Sequence, residues 1–340
     1  MKKEEIKNLQ EYAKKKFEEE KVDIKLCKVN MELSYEDNVK KIEQIISDVK
    51  QKEKWEEDIK KIVNSKSSET LERLYRTPKD FIKMVVSGGQ NGLFLYGDGG
   101  WGKSYNVQKT LIENKLEEGE DYVFICGHIT PLQFYMKLYE GRNKIIVFDD
   151  VNILENTTNL NMLKACLNEN SHNKVDYHTT SKLMENKNIP STFYFEGRVI
   201  ILLNDKPSRN KNLTAVESRI LHYHLDFPYK DKISIIFDIA KSDYEGINLK
   251  DRIKVANWIK NSTNEATENL SIRLLFKCFD FFIYRKGKDE WVELAKKYVK
   301  NDEYMTLIIQ GVSQEDWCLN TGKSRASYFR VKAKVSGETK

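Results

Sequence analysis

Long hydrophobic runs are absent from this sequence: no stretch approaches the roughly 18 apolar residues that a membrane span needs. The charged start, Met1 to Glu5, is followed by no apolar segment, which excludes a signal peptide of the usual kind. We therefore expect a soluble, cytoplasmic protein with no membrane contact.

Cysteine is also scarce and scattered, which excludes two further classes of protein. The five cysteines are odd in number and form no C-x-x-C pair. This spacing is typical of a reducing compartment and argues against both a disulfide framework and a structural zinc site.

Charge is plentiful but nearly balanced, with 57 Lys and Arg against 52 Asp and Glu. The excess is concentrated at the end of the chain, where the last twenty residues carry only one acid, Glu338, among six basic residues: Lys323, Arg325, Arg330, Lys332, Lys334 and Lys340. A basic tail of this kind points to nucleic acid.

The first 65 residues contain neither Pro nor Gly, and their apolar residues recur at helical spacing. We expect two or three charged helices in residues 1–68 that pack on the next domain or mediate assembly, followed by a linker at Ser65 to Ser68. A helix over Thr70 to Met84 would then lead into the next domain.

The strongest motif is the segment Gly97 to Ser104, which reads Gly-Asp-Gly-Gly-Trp-Gly-Lys-Ser. It follows an apolar strand, Leu93 to Tyr96, and precedes a helical pattern over Tyr105 to Glu118. In that context the pattern G-x-x-x-x-G-K-[ST] predicts a phosphate-binding loop, or P-loop. The predicted ATP contacts are Gly97, Asp98, Gly99, Gly100, Trp101, Gly102, Lys103, Ser104 and Tyr105, with Lys103 against the phosphates and Ser104 on Mg²⁺.

Two carboxylates end another apolar strand, Lys144 to Asp150. A strand over Tyr122 to Cys126 and a helix that begins near Pro131 precede it. We expect Asp149 to hold Mg²⁺ and Asp150 to orient and polarise the attacking water.

Further polar residues follow these two motifs in chain order. Beyond a helix at Asn161 to Asn170, two short alternating segments predict a hairpin whose loop carries Lys182 and Lys187. The strand Arg198 to Leu203 ends on Asn204, which can hydrogen-bond both the γ-phosphate and the water. Farther on, Arg219 can reach the phosphates of a neighbouring subunit.

Helical patterns fill the rest of the chain. Residues 231–302 predict a helical lid, and Arg273 opens its third helix, where it either contacts the nucleotide or pairs with a neighbouring acidic face. In residues 303–340, a helix over Ser313 to Leu319, a turn with Gly322 and a second helix from Lys323 predict a helix-turn-helix-like element. Its basic residues Lys323, Arg325 and Arg330 either contact DNA or form a solvated face.

Together these motifs resemble the AAA+ class of P-loop ATPases. Gly97 to Ser104, Ile145 to Asp150, Ile201 to Asn204, Ser218-Arg219 and Ser271 to Arg273 are similar, in that order, to its Walker A, Walker B, sensor 1, arginine finger and sensor 2. The Asp-Asp pair and the hairpin also resemble superfamily 3 helicases and the replication ATPases of phages and plasmids. The resemblance implies an α/β fold, in which a three-layer parallel sheet over residues 69–230 carries a helical lid, and a homo-oligomeric ring, often a hexamer, with sites between subunits.

We therefore expect an ATPase that uses Mg²⁺ and ATP to translocate on, unwind or remodel DNA in the replication of a phage or plasmid. Two alternatives stay open: a helicase loader or transposition-type ATPase that assembles on DNA, and a nucleotide-gated DNA-binding regulator.

Overall fold

The computed structural model describes residues 3–21, 34–64, 68–168, 173–179, 181–205 and 211–336. The chain divides into two compact units, Met1–Ser65 and Lys66–Lys340. The expected linker at Ser65 to Ser68 lies, except for Ser68, outside the described residues.

The first unit contains two helices, α1 (Lys3–Glu19) and α2 (Tyr35–Asn64). Tyr12 on α1 donates a hydrogen bond to Glu43 on α2 at 3.2 Å, and Glu20 just beyond α1 pairs with Lys50. Because the residue numbers of the contacting pairs increase along both helices, the two helices run parallel. Their shared core has the i, i+4 spacing of one helical face and consists of Leu9, Ala13, Phe17, Ile42 and Ile46.

The second unit begins with a five-stranded parallel sheet and the helices that cover it. Its strands and helices are α3 (Glu69–Leu74), α4 (Arg76–Val86), β1 (Gly92–Tyr96), α5 (Lys103–Glu113), β2 (Tyr122–Cys126), α6 (Pro131–Glu140), β3 (Ile145–Asp149), α7 (Thr157–Cys166), β4 (Lys174–Asp176), α8 (Lys182–Asn186), β5 (Thr192–Tyr194), β6 (Arg198–Leu203), α9 (Lys211–Glu217) and β7 (Leu221–His224).

The strand order of this sheet is β2-β3-β6-β1-β7. All of its pairs are parallel, and Tyr96 at the end of β1 aligns with Leu203 at the end of β6. The central strands β1, β3 and β6 are continuous apolar runs because helices cover both faces. The sequence-based α/β prediction is confirmed.

Local capping explains where several helices begin. Helix α6 starts with Pro131 at its first position, and Thr130 and Gln133 form a capping box. Helix α7 begins at Thr157, before the predicted Asn161, because the Asn156 side chain accepts hydrogen bonds from two N–H groups of the first turn.

Other predicted boundaries were wrong. The expected helix over Thr70 to Met84 is two helices, which meet at Tyr75. Helix α5 ends at Glu113 instead of Glu118. The sequence pattern predicts a short strand over Tyr223 to Phe227, but strand β7 lies at Leu221–His224, where it pairs in register with β1.

The predicted hairpin is present as the antiparallel pair β4 and β5. Its connection is more than a polar loop, since it contains α8, a short helix capped by Ser181. Lys182 is the first residue of this helix and Lys187 its C-cap, and both are exposed.

Seven helices follow the sheet in residues 229–336. They are α10 (Tyr229–Lys241), α11 (Leu249–Ser262), α12 (Ile272–Tyr284), α13 (Trp291–Tyr298), α14 (Glu303–Ile309), α15 (Gln314–Thr321) and α16 (Arg325–Val335). The first four form the lid that the sequence predicted, and α14 was not predicted.

Helices α14 to α16 pack around Trp317. Its indole Nε1 donates to the Tyr304 carbonyl at 2.9 Å, and its ring meets the Tyr328 ring edge-on. Gly322, with φ +66, ends α15 in the left-handed conformation that the turn into α16 requires. In the part of the chain that the structure describes, no helix is long and apolar enough to span a membrane.

Candidate functional site

The candidate site lies where three neighbouring parallel strands end. Because β1, β6 and β3 are adjacent and in register, the segments that leave their carboxyl ends emerge side by side. These segments carry the P-loop after Tyr96, Asp150 after Asp149 and Asn204 after Leu203. The topology thus brings together the three motifs that the sequence separates by about a hundred residues.

Lys103 is at the centre of the site. Its ammonium donates hydrogen bonds to the carbonyls of Gly97 and Asp98, at 2.6 and 3.0 Å, and to Asn204 Oδ1 at 3.1 Å. The residue is only 7% exposed. Burial lowers the pKa of Lys103, the carboxylates of Asp150, Asp149 and Asp98 oppose this effect, and Arg273 adds to it.

Asn204 links Lys103 to the acid pair. Its amide Nδ2 donates to Asp150 Oδ2 at 2.6 Å, while its Oδ1 accepts from Lys103. A continuous polar chain therefore runs from the P-loop lysine through Asn204 to the predicted base.

Asp150 has a left-handed backbone, with φ +52. Few residues other than glycine adopt this conformation, and it is costly enough to be found mainly where the surroundings impose it. Here the Asp150 N–H donates to the Leu202 carbonyl at 3.0 Å, which fixes the turn and directs the carboxylate towards Asn204.

The P-loop packs closely against the segments that cover it. At Gly97, with φ +143, a Cβ would lie 2.1 Å from the Leu225 carbonyl oxygen. At Gly100, with φ +81, a Cβ would lie 2.9 Å from the Ser271 Cβ. These glycines are therefore required by packing as well as by backbone conformation.

The start of α12 contacts the P-loop directly. The Ile272 N–H donates to the Gly100 carbonyl at 3.1 Å. A Cβ at Gly99 would lie 3.7 Å from Arg273 Nη1, so the guanidinium is beside the loop. Within the described residues Arg273 has no ion pair with a carboxylate, and its contact with a nucleotide stays a prediction.

This chain combines five features. They are a five-stranded parallel sheet of this order, a P-loop after β1, an acid pair after β3, a polar residue after β6 and a helical lid that contacts the loop. This is the fold of an AAA+ P-loop ATPase. The resemblance inferred from the motifs is confirmed at the level of the fold.

Comparison with known proteins found one related sequence and several similar structures. No family model matches the chain. An uncharacterized 36.7 kDa protein of Enterobacteria phage T4, from the nrdC-mobD intergenic region, is 26% identical over 229 residues, which cover 63% of this chain and 70% of the phage protein.

Solved structures are similar at low identity. The RuvB Holliday junction branch migration motor of Thermotoga maritima is 14% identical, with a TM-score of 0.45 over 78% of this chain and 87% of its own. NtrX from Brucella abortus in complex with ADP is 12% identical, with a TM-score of 0.43 over 89% and 77%. Because these identities and TM-scores are low, the fold assignment depends on the strand order, the motifs and the lid of this chain itself.

The residues of the site suit a nucleotide and a magnesium ion. The Lys103 ammonium, the Arg273 guanidinium and the main-chain N–H groups at the start of α5 form a donor set for a polyphosphate. Ser104 in the first turn of α5 and Asp149 at the end of β3 carry the side-chain oxygens that would hold the ion. In the described part of the chain no three His, Cys, Asp or Glu residues form a metal cluster.

Two predicted contact residues have side chains with other partners. The Trp101 ring is 1% exposed and packs against Phe227, so only its main chain faces a nucleotide. Asp98 pairs with Lys232 of α10 at 3.1 Å. Tyr105 is exposed in the first turn of α5.

Sequence reasoning missed three residues that contact the P-loop: Tyr75, Lys232 and Ile272. Tyr75 donates to the Trp101 carbonyl at 2.7 Å, and Lys232 lies 5.7 Å from the centre of the Trp101 ring. Tyr75 and Lys232 belong to no motif, and Ile272, which lies within the sensor 2 segment, contacts the loop through its main-chain N–H. Only the tertiary contacts reveal these three roles.

The remaining predicted residues lie away from the P-loop within this chain. Arg219 follows α9, and its guanidinium donates to the Ala215 carbonyl of its own helix. The C-terminal basic residues Lys323, Arg325 and Arg330 are exposed on or beside α16. The Lys323 ammonium lies 4.3 Å from the centre of the Tyr304 ring.

Proposed function

We propose that this chain hydrolyses ATP at sites between subunits of a homo-oligomeric ring and uses the cycle to act on DNA. One observation carries the proposal: Lys103, Asn204 and Asp150 form a hydrogen-bonded chain at the carboxyl ends of three adjacent strands. A structural glycine turn would not require a buried ammonium beside two carboxylates, whereas phosphoryl transfer requires charges of both signs in fixed positions.

In this proposal each residue has a separate role. Lys103, the N–H groups at the start of α5 and Arg273 bind the phosphates, and Ser104 and Asp149 would hold Mg²⁺, which supplies charge neutralisation at the transferring group. Asp150 orients a water and accepts its proton, and Asn204 fixes the carboxylate at 2.6 Å. Arg219 of an adjacent subunit completes the site and stabilises the transition-state charge.

The proposal that DNA is the substrate is supported by charge and position. Helix α16 is basic, and it packs with α14 and α15 around Trp317 in a small helical unit that exposes Lys323, Arg325 and Arg330. Such a unit can place a helix against a phosphate backbone. Lys182 and Lys187 on the hairpin helix α8 are the candidates for contact with a strand in the channel of a ring.

Replication of a phage or plasmid is the setting that we propose. The phage T4 relative supports a phage connection. Two other uses of the same ATPase stay open: loading of a helicase or transposition-type assembly on DNA, and nucleotide-gated regulation through the C-terminal unit.

The proposal is tested by measuring ATP turnover of the purified protein, first without DNA and then with single-stranded or duplex DNA. We expect Mg²⁺-dependent hydrolysis that DNA stimulates and that Lys103→Ala abolishes. Hydrolysis that survives Lys103→Ala would contradict the ATPase proposal.

A strand-displacement assay on forked DNA distinguishes a helicase from a loader and from a regulator. Displacement that requires Lys103 favours a helicase, and DNA-stimulated hydrolysis without displacement favours a loader. Binding to one duplex sequence, with turnover independent of DNA, favours a regulator.

A further inference from the structure

Tyr75 links the P-loop to a part of the chain that no nucleotide-binding motif includes. It lies at the junction of α3 and α4 and is 4% exposed. Its hydroxyl donates to the Trp101 main-chain carbonyl at 2.7 Å. Its ring meets Phe227 edge-on at 5.3 Å, and Phe227 in turn packs against the Trp101 ring at 6.2 Å.

This hydrogen bond fixes one peptide unit of the loop. The peptide between Trp101 and Gly102 is planar and trans, so its C=O and N–H point in opposite directions. Because Tyr75 binds the carbonyl, the Gly102 N–H is directed away from Tyr75. Gly102 is the N-cap residue of α5, where main-chain N–H groups are available to an anion.

The neighbouring peptide unit is fixed in the same way from another element. The Gly100 carbonyl accepts from the Ile272 N–H at 3.1 Å, which directs the Trp101 N–H away from α12. Two successive N–H groups of the loop are thus oriented by donors that lie outside it. The Trp101 indole takes no part in this polar contact, since its Nε1 has no hydrogen-bond partner among the described residues.

Burial keeps Tyr75 in the form that this role needs. It raises the pKa of the Tyr75 hydroxyl, so the phenol keeps its proton, and remains a donor, at pH values where an exposed tyrosine begins to lose it.

We propose that Tyr75 is a positioning residue for nucleotide binding, which acts by holding the Trp101 carbonyl and so presetting the Gly102 N–H for a phosphate oxygen. The inference rests on the proposed function in one respect, that the P-loop binds a nucleotide. Beyond that function, the inference assigns to Tyr75 an effect on nucleotide affinity that acts through the loop backbone, without contact to the nucleotide or the metal.

Tyr75→Phe tests the proposal, because it removes the hydroxyl and keeps the ring. Tyr135→Phe is the matched control. Tyr135 is also buried, and its hydroxyl also donates to a main-chain carbonyl, that of Pro190 at 2.8 Å. Its ring packs against Tyr177 and Phe193, outside the P-loop. Both variants lose one buried hydroxyl-to-carbonyl bond, so both should melt at similarly lower temperatures.

Nucleotide binding separates the two variants. For Tyr75→Phe we expect the Kd for ADP and the KM for ATP to rise about tenfold with kcat changed less than about twofold, since the lost contact acts on bound substrate and transition state alike. For Tyr135→Phe both constants should stay at the wild-type values.

Three outcomes would overturn the inference. An unchanged Kd for Tyr75→Phe, or an equal rise for Tyr135→Phe, would do so while the proposed function stands, provided that wild-type protein binds ADP. Failure of the wild-type protein itself to bind ADP would overturn the proposed function, and this inference with it.

Discussion

Asp150 combines a left-handed backbone with the 2.6 Å hydrogen bond from Asn204. Asparagine adopts left-handed conformations readily and has nearly the shape of aspartate, so Asp150→Asn removes the charge with little change of structure. We expect kcat for ATP to fall by about a hundredfold or more, because the water loses its proton acceptor, while the Kd for ADP changes less than about threefold. Steady-state turnover and calorimetry measure the two constants, and a wild-type melting temperature is the control. Turnover that stays normal would remove Asp150 from the reaction.

Lys103 gives the binding of nucleotide a characteristic pH dependence. Burial lowers the pKa of Lys103, so its ammonium loses its proton at a lower pH than an exposed lysine does. Since only the charged form attracts phosphate, affinity for ADP should be constant below that pKa and fall as the pH rises through it. Calorimetric titrations from about pH 7 to about pH 10 would measure this.

Lys103→Arg is the control for this prediction. Arginine stays protonated throughout that range, so this variant should bind ADP more weakly but without the alkaline decline. An equal decline in both proteins would assign the effect to another group.

Residues with a chemical motif could be predicted from the sequence, and those without one could not. The spacing of Lys103, Ser104 and the acid pair predicted the contents of the site, and the strand ends placed Asn204 beside them. Tyr75 is 26 positions from its P-loop partner, and Lys232 is 134 positions from Asp98. Their roles depend on tertiary contacts that neither periodicity nor spacing encodes.

At the scale of the element, the P-loop and the helix α12 fit together through Gly100. A Cβ there would lie 2.9 Å from the Ser271 Cβ, and φ is +81. Gly119 has a similar φ, +91, but a Cβ there would meet no atom within 4 Å. Gly100→Ala and Gly119→Ala therefore carry the same backbone strain, and only the first adds a collision.

We expect each of these two variants to lose about 1 kcal/mol of unfolding free energy from the strain. Gly100→Ala should in addition weaken ADP binding at least about tenfold, because the collision separates α12 from the loop and displaces Arg273. Denaturant unfolding and calorimetry measure the two effects. Equal ADP affinities would show that α12 is not needed for binding.

Elements were predicted better than their boundaries. Apolar runs identified β1, β2, β3 and β6 of the parallel sheet, because buried parallel strands are continuously hydrophobic. The edge strand β7 alternates polar and apolar residues, and its predicted position was wrong. Helix ends were less accurate, since they depend on single caps such as Asn156 and on the break at Tyr75. Helix α14 was missed because its seven residues give too short a pattern to show a period.

At the scale of the whole molecule, the proposed ring places Lys103 and Arg219 of one site on different subunits. Within its own chain the Arg219 guanidinium contacts only the carbonyl of Ala215 among the described residues. Arg219→Ala should therefore bind ADP normally and hydrolyse no ATP, and Lys103→Ala should also be inactive.

Mixing the two inactive proteins tests the shared site. In an equimolar mixed ring about a quarter of the interfaces combine an intact Lys103 with an intact Arg219, so about a quarter of the wild-type turnover should return. Turnover that remains at zero would contradict a site shared between subunits, and turnover retained by Arg219→Ala alone would remove this residue from it.

The hydrogen bond from Ile272 to Gly100 and the ion pair of Lys232 with Asp98 attach two lid helices to successive parts of the P-loop. Any change in the shape of the loop that releases a nucleotide would have to break those attachments. We therefore expect ADP release to be the slow step of the cycle, so that any force applied to the lid helices would change the turnover rate.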